Sequence, residues 1–158
     1  MIGIVLGSGL GLLAAAVEVE REVSFGDAGL PTSSVPGHAG NFVFGSLHGT
    51  PVLLMKGRVH LYEGHGAREV TAGIRWMAAQ GAQKFVLTNA AGTLNPAFAP
   101  GSWMMLSDHL NLTGTSPLVG ADFIDLSVAY DVEWRAKFRA QALALGISLH
   151  EGVYAGLR

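Results

Sequence analysis

Hydrophobic positions fall into short runs and helical repeats that alternate along the chain. Ile2–Leu6 is a continuous apolar run closed by Gly7, the length of a buried strand. Leu10–Val17 opens from the glycine loop that follows and reads as a helix. Asn41–Leu47 and Pro51–Lys56 are β-rich runs on either side of His48–Thr50, the pattern of a hairpin. Over 67–80, Val70, Ile74 and Met77 recur at helical spacing, and Gly81 supplies the stop. Lys84–Thr88 is again a strand, running into "NAAG" (Asn89–Gly92), and Ser102–Leu106 is another, followed by "SDHLNL". Residues 132–145 form a second helix with Trp134, Phe138 and Leu145 on one face and Gly146 as its stop; Ile147–Tyr154 begins a last strand. Strands alternating with helices predict an α/β fold, a layered mixed β-sheet flanked by helices, in one domain over 1–158. Ligands of such sheets bind beyond the carboxyl ends of strands, where both glycine-containing loops, Gly7–Gly11 and Asn89–Gly92, fall.

Composition narrows the function classes. Among 158 residues, 49% are hydrophobic and 14% charged, enough apolar material for a core and too little charge for a disordered chain. The net charge of −2 argues against a nucleic-acid partner. With no cysteine, disulfides, thiolate metal sites and thiol nucleophiles are excluded, which suits a cytoplasmic location. Runs such as Val52–Met55 are too short to span a bilayer, so no membrane partner is expected. No closely spaced His or Asp pair has metal-ligand geometry, so no metal is expected either.

The stretch "GIVLGSGLG" (Gly3–Gly11) raises the first chemical question. Gly7, Gly9 and Gly11 give G-x-G-x-G and position 12 is Leu, so the dinucleotide fingerprint G-x-G-x-x-G is not met. Asp27 stands where that fold needs an acid, but no clear second strand precedes it. No Lys-Ser or Lys-Thr pair follows the glycines, so a P-loop is absent as well. What remains is a tight strand-to-helix turn presenting Ser8. Backbone N–H groups and a hydroxyl there can hold an anion; a glycine turn without a ligand is equally compatible with this loop alone.

A second stretch, "MKGRVHLYEGH" (Met55–His65), leaves an apolar strand and crowds Arg58, His60, Tyr62 and Glu63 into six residues. Alternation would put Arg58, His60 and Tyr62 on one face of an extended segment. Arg presents a planar fork suited to phosphate oxygens, His a further donor, and Tyr a hydroxyl and a ring for a sugar. Glu63 is placed to orient the Arg or the His. Gly57 and Gly64 on either side suggest close backbone approach. A solvated strand end with chance polar residues is the plainer alternative. His48 and His150 are read as structural, and Trp76 and Trp134 as core.

Six motifs now stand in order: "LGSGLG", "VPGHAG" with "FVFG", "KGRVHLYEG", "TNAAGTLNP", "SDHLNLTG" and "EGVYAGL". Together they resemble the trimeric class of purine nucleoside phosphorylases, and the resemblance covers the whole chain. The related 5′-methylthioadenosine phosphorylases carry a second His after the Arg and Thr-Ala-Cys in the NAAG position. Val59–His60 and Asn89–Ala91 here favour the purine nucleoside branch. The resemblance implies a nucleoside phosphorylase-like fold and the phosphorolysis of purine nucleosides, with inorganic phosphate as co-substrate, no cofactor and a homotrimeric assembly. It implies that Ser8, Arg58, His60 and the Ala90 backbone bind phosphate, with His38 near phosphate and ribose. It implies that Tyr62 contacts the ribose, that Glu63 orients the phosphate-side groups, and that His60 and Glu63 form the catalytic pair. Ala91 and Gly92 would line the purine pocket, and Phe123 would reach a neighbouring subunit's ribose site. Asn89 and Asp108 are read as structural hydrogen-bonders.

The family's Gly-Pro-x-aromatic-Glu-Thr motif, its purine-reading Glu, a later Asn and a further phosphate-binding Ser do not occur in these 158 residues. The resemblance also leads to the expectation of a shortened N-terminus, since Met1 falls just before the first expected strand, where family members have an extra helix. The expectation is a fold incomplete at the C-terminus, with little activity from this chain alone. A catalytically inactive ligand-binding remnant is the competing reading.

Overall fold

The computed structural model describes residues 1–32 and 40–157. His38 lies outside the described residues. Two compact units divide the chain, residues 1–91 and 92–158.

The first unit is a five-stranded mixed sheet in the order β2-β3-β4-β1-β5. Its strands are β1 (Ile2–Leu6), β2 (Glu18–Ser24), β3 (Asn41–Leu47), β4 (Thr50–Lys56) and β5 (Lys84–Leu87). β1 sits between β4 and β5 and runs parallel to both, with Leu6 opposite Lys56 and Val5 opposite Leu87. The carboxyl ends of these three strands therefore open on one edge. β3 and β4 form the expected hairpin. Its two-residue loop holds His48 at φ 48° and Gly49 at φ 76°, the left-handed pair a type I′ turn requires.

Strand alternation divides the core between the two faces of this sheet. On one face, Val5, Phe42, Phe44, Leu53 and Met55 pack with Met77, Ile74 and Trp76. The Trp76 ring stacks on Phe42 at 4.1 Å, as expected of a core residue. On the other face, Ile4, Leu6, Val43, Val52 and Leu54 pack with Val17, Leu10 and Leu13.

Several boundaries differ from the sequence reading. Leu10–Val17 is not an α-helix; Gly11–Ala16 winds as a 3-10 helix. β2 was not expected: its sequence EVEREVS lies exposed at the sheet edge, where charges discourage edge-to-edge pairing. The single helix over 67–80 is two, α1 (Ala67–Val70) and α2 (Ala72–Ala79). They part at Thr71, whose hydroxyl donates back to the Ala67 carbonyl at 2.8 Å, a bond known to bend helices. α2 ends as Gly81 predicts: Gly81 takes φ 96°, and Ala82 N–H returns to the Met77 carbonyl at 3.0 Å.

The second unit contains β6 (Trp103–Asn111), α3 (Val132–Ala144) and β7 (Leu149–Gly156). β6 and β7 form a parallel two-stranded sheet. β6 is longer than expected because "SDHLN" continues the strand, with a register irregularity between Leu106 and Asp108. α3 is capped by the Asp131 carboxylate, which accepts from Trp134 N–H at 2.8 Å. Arg135 and Arg139 of α3 both pair with Glu151 of β7. The apolar face expected on this helix is not buried: Trp134 is half-buried, and Phe138 and Leu145 are 47% and 70% exposed. A two-stranded ribbon offers too little surface to cover such a face.

Candidate phosphate-binding cleft

At the end of β1 the chain turns sharply, and Leu10 N–H donates to the Gly7 carbonyl at 3.1 Å. Ser8 and Gly9 are the central residues, and Gly9 takes φ 85°, as a type II turn demands of its third position. Gly7 is required for a different reason. A Cβ there would lie 2.7 Å from both Asn89 Cα and the Thr88 carbonyl oxygen. Gly11 answers to neither constraint, since no described atom lies within 4 Å of its Cβ position.

The neighbour of Gly7 is Thr88, just beyond β5, and its role was not legible beforehand. Its hydroxyl donates to the Val5 carbonyl at 2.7 Å and accepts from Gly7 N–H at 2.8 Å. One side chain thereby ties the end of β1 to the chain leaving β5. The Thr88 carbonyl also accepts from Arg58 Nη1 at 3.1 Å, which fixes the guanidinium beyond the end of β4. A β-branched hydroxyl at the last position of an apolar run, directly before "NAAG", was the available signal.

The segment after β4 is only partly the extended face expected. Residues 57–60 are without regular structure, but Leu61–Glu63 form a turn of 3-10 helix. With three residues per turn, the alternation of 58, 60 and 62 breaks at His60. Tyr62 is 73% exposed and stacks its ring on His60 at 4.8 Å. Glu63 turns back to His60, its Oε1 lying 2.8 Å from the backbone N and 2.9 Å from Nδ1. An ionised carboxylate only accepts, so Nδ1 of His60 is the donor and Nε2 is the ring's other polar atom. Gly64 follows at φ 92° with no described atom within 4 Å of its Cβ position, so turn geometry requires it and not close approach.

These elements enclose an open cleft of about 130 Å³, lined by Leu6, Gly7, Ser8, Gly11, Lys56, Gly57, Arg58 and His60. A water occupies about 30 Å³ in the liquid, so the cleft has room for a tetrahedral oxyanion. Three of the expected phosphate ligands, Ser8, Arg58 and His60, meet here, and Glu63 holds one of them. Ala90 does not line the cleft; its carbonyl accepts from the Asn89 side chain at 3.3 Å. Ala91 and Gly92 are exposed. In the second unit Phe123 is 92% exposed, and Asp108 accepts from His109 N–H at 2.8 Å. Beside it, desolvation foremost and then the Asp108 charge push the Tyr130 phenol up. Among the described residues, no group of three or more His, Asp or Glu side chains could hold a metal ion. No described helix is long and apolar enough to cross a membrane.

The chain belongs to the phosphorylase superfamily, whose family model matches residues 1–158. It is 42% identical over 161 residues to purine nucleoside phosphorylase 1 of Geobacillus stearothermophilus, covering 97% of this chain and 59% of that protein. Its identity to the purine nucleoside phosphorylase of Mycobacterium tuberculosis is 43% over 164 residues, covering 99% and 58% of the two chains. A crystal structure of the Schistosoma mansoni purine nucleoside phosphorylase with acetate superposes with a TM-score of 0.90 at 38% identity, over 98% of this chain and 61% of that one. The inosine complex of the Schistosoma mansoni enzyme superposes with a TM-score of 0.85 at 36% identity, over 98% and 58%. The chain thus spans about three fifths of the length of these relatives.

Proposed function

We propose that this chain carries phosphate- and ribose-binding machinery for the phosphorolysis of purine ribonucleosides or deoxyribonucleosides. The products are the free purine and (deoxy)ribose 1-phosphate, and 6-oxopurine nucleosides are the substrates. The observation that carries this reading is the convergence of Ser8, Arg58 and His60 on one cleft at the ends of two parallel strands. The relatives named purine nucleoside phosphorylase support the choice of reaction.

In this reaction a phosphate oxygen forms a bond to C1′ as the C1′–N9 bond breaks. The electron pair leaves with the purine, which takes up a proton. The sugar becomes oxocarbenium-like between the two events, so the nucleophile must be an anion already held in place. Arg58 is suited to that role because its guanidinium is fixed by the Thr88 carbonyl before any ligand arrives. Ser8 offers a hydroxyl on a turn locked by Gly7 and Gly9. Glu63 holds the His60 ring, and the exposed Tyr62 ring stacked on it supplies a flat surface for the ribose.

Phosphate is a co-substrate and the scheme calls for no cofactor, nucleic acid or membrane. The assembly is a cytoplasmic homotrimer in which exposed Phe123 serves the ribose site of a neighbouring subunit. Ala91 and Gly92 serve the purine side. The test is hypoxanthine release from inosine, followed with and without phosphate. Release strictly dependent on phosphate, and lost in Arg58→Ala, supports the reading. Release independent of phosphate contradicts it, and phosphate binding without any release supports a non-catalytic binding module.

A further inference from the structure

Among the described residues, Lys56 is the one charged side chain lining the cleft to which the sequence motifs assign no task. It is the last residue of β4, and strand alternation gives it the parity of Val52 and Leu54, which are fully buried on the sheet face shared with Ile4 and Leu6. The apolar face of β4 thus ends in a lysine. Lys56 pairs in register with Leu6, the last residue of β1, so its side chain stands where the Ser8 turn begins. It is half-buried and lines the cleft beside Ser8, Gly11, Arg58 and His60. Its aliphatic stem suits the apolar wall, and its ammonium suits the polar mouth. Among the described residues the ammonium has no carboxylate partner and no hydrogen-bond acceptor.

The charges around the cleft give this lysine a consequence. Arg58 contributes one positive charge, and its fixed partner, the Thr88 carbonyl, is neutral. Glu63, 5% exposed, contributes one negative charge against His60. Leaving the imidazole aside, these two cancel. With the imidazole neutral, Lys56 tips the charges of these described side chains to net positive, and a dianion needs a net positive site more than a monoanion does.

Resting on the phosphate-cleft reading above, we infer that Lys56 is an anion-binding residue that sets the cleft's preference for doubly charged oxyanions. Its ammonium is a mobile point charge beside the rigid fork of Arg58, which anchors geometry while Lys56 supplies charge.

The experiment is calorimetric titration of the chain with inorganic phosphate, sulfate and nitrate at two ionic strengths. The proteins are the wild type, Lys56→Gln, Lys56→Arg and Arg58→Ala. Lys56→Gln is expected to weaken phosphate and sulfate about tenfold and to flatten the salt dependence. It should leave nitrate within about twofold, and Lys56→Arg should recover most of the loss. Dianion affinities unchanged in Lys56→Gln, with phosphate binding still lost in Arg58→Ala, would overturn the role of Lys56 and leave the phosphate cleft standing. A wild type that binds none of the three anions would overturn both.

Discussion

Arg58 Nη1 donates to the backbone carbonyl of Thr88 at 3.1 Å, joining two strand ends that are 30 residues apart in sequence. The same threonine closes its hydroxyl over Val5 and Gly7. The cleft is therefore framed by a residue that does not line it. Thr88→Val should leave Gly7 N–H, which is buried, without its partner. The expected cost is about 1–3 kcal/mol of stability, read as a lower urea midpoint. Thr88→Ser should retain most of it, and a Val variant as stable as the wild type would show that the hydroxyl bridge is idle.

The three glycines of the opening loop should separate by substitution to alanine. Gly7→Ala forces a contact with the Thr88 and Asn89 backbone and should cost about 1–3 kcal/mol. Gly9→Ala places a side chain at φ 85° and should cost about 1–2 kcal/mol. Gly11→Ala meets no described atom and should be neutral or stabilising by up to about 1 kcal/mol. Thermal melts of the three variants read this order directly; equal losses would mean the loop is held by something other than these two constraints.

Sequence patterning was most reliable where one face of an element had to be buried. β1 and β3 begin and end where the apolar runs do, and Ile74 and Met77 pack into the core on one face of the sheet as their spacing requires, while Val70, on the separate helix α1, is half-buried outside that cluster. β2 was missed because EVEREVS lies at an edge, where no continuous apolar face is needed. The break at Thr71 was hidden because it depends on a side-chain hydroxyl competing for a backbone carbonyl. At the site, Arg58 and His60 were legible from residue type and spacing. The alternation that groups Tyr62 with them assumes an extended chain, whereas Glu63 draws that chain into a turn in which Tyr62 stacks on His60.

Glu63 accepts from both the backbone and the ring of His60. Glu63→Ala should release both donors and let the ring reorient, weakening phosphate by about 1.5–3 kcal/mol. Glu63→Gln, which keeps an oxygen acceptor, should lose less. Nitrogen-15 spectra of the His60 ring report its orientation separately from binding. Unchanged ring signals in Glu63→Ala would remove the positioning role.

In the second unit, the hydrogen bond from Arg139 foremost holds the Glu151 carboxyl below its ordinary range; desolvation opposes it, and Arg135 adds a smaller lowering effect. Its folded-state value is depressed, so its stabilising contribution is present above the unfolded value and is lost as pH falls through the folded one. Unfolding midpoints measured from neutral to acid pH should decline across that window, and Glu151→Gln should flatten the decline. An identical acid limb in both proteins would assign the acid sensitivity to other groups.

The central claim is that the ends of parallel strands build a site for phosphate around Arg58. Calorimetric titration of inorganic phosphate into the wild type and Arg58→Ala tests it most directly. One site per chain is expected in the wild type, weakened by about 1.5–3 kcal/mol in the variant, the range for a charge-assisted hydrogen bond. Equal phosphate affinity in the two proteins would contradict the account.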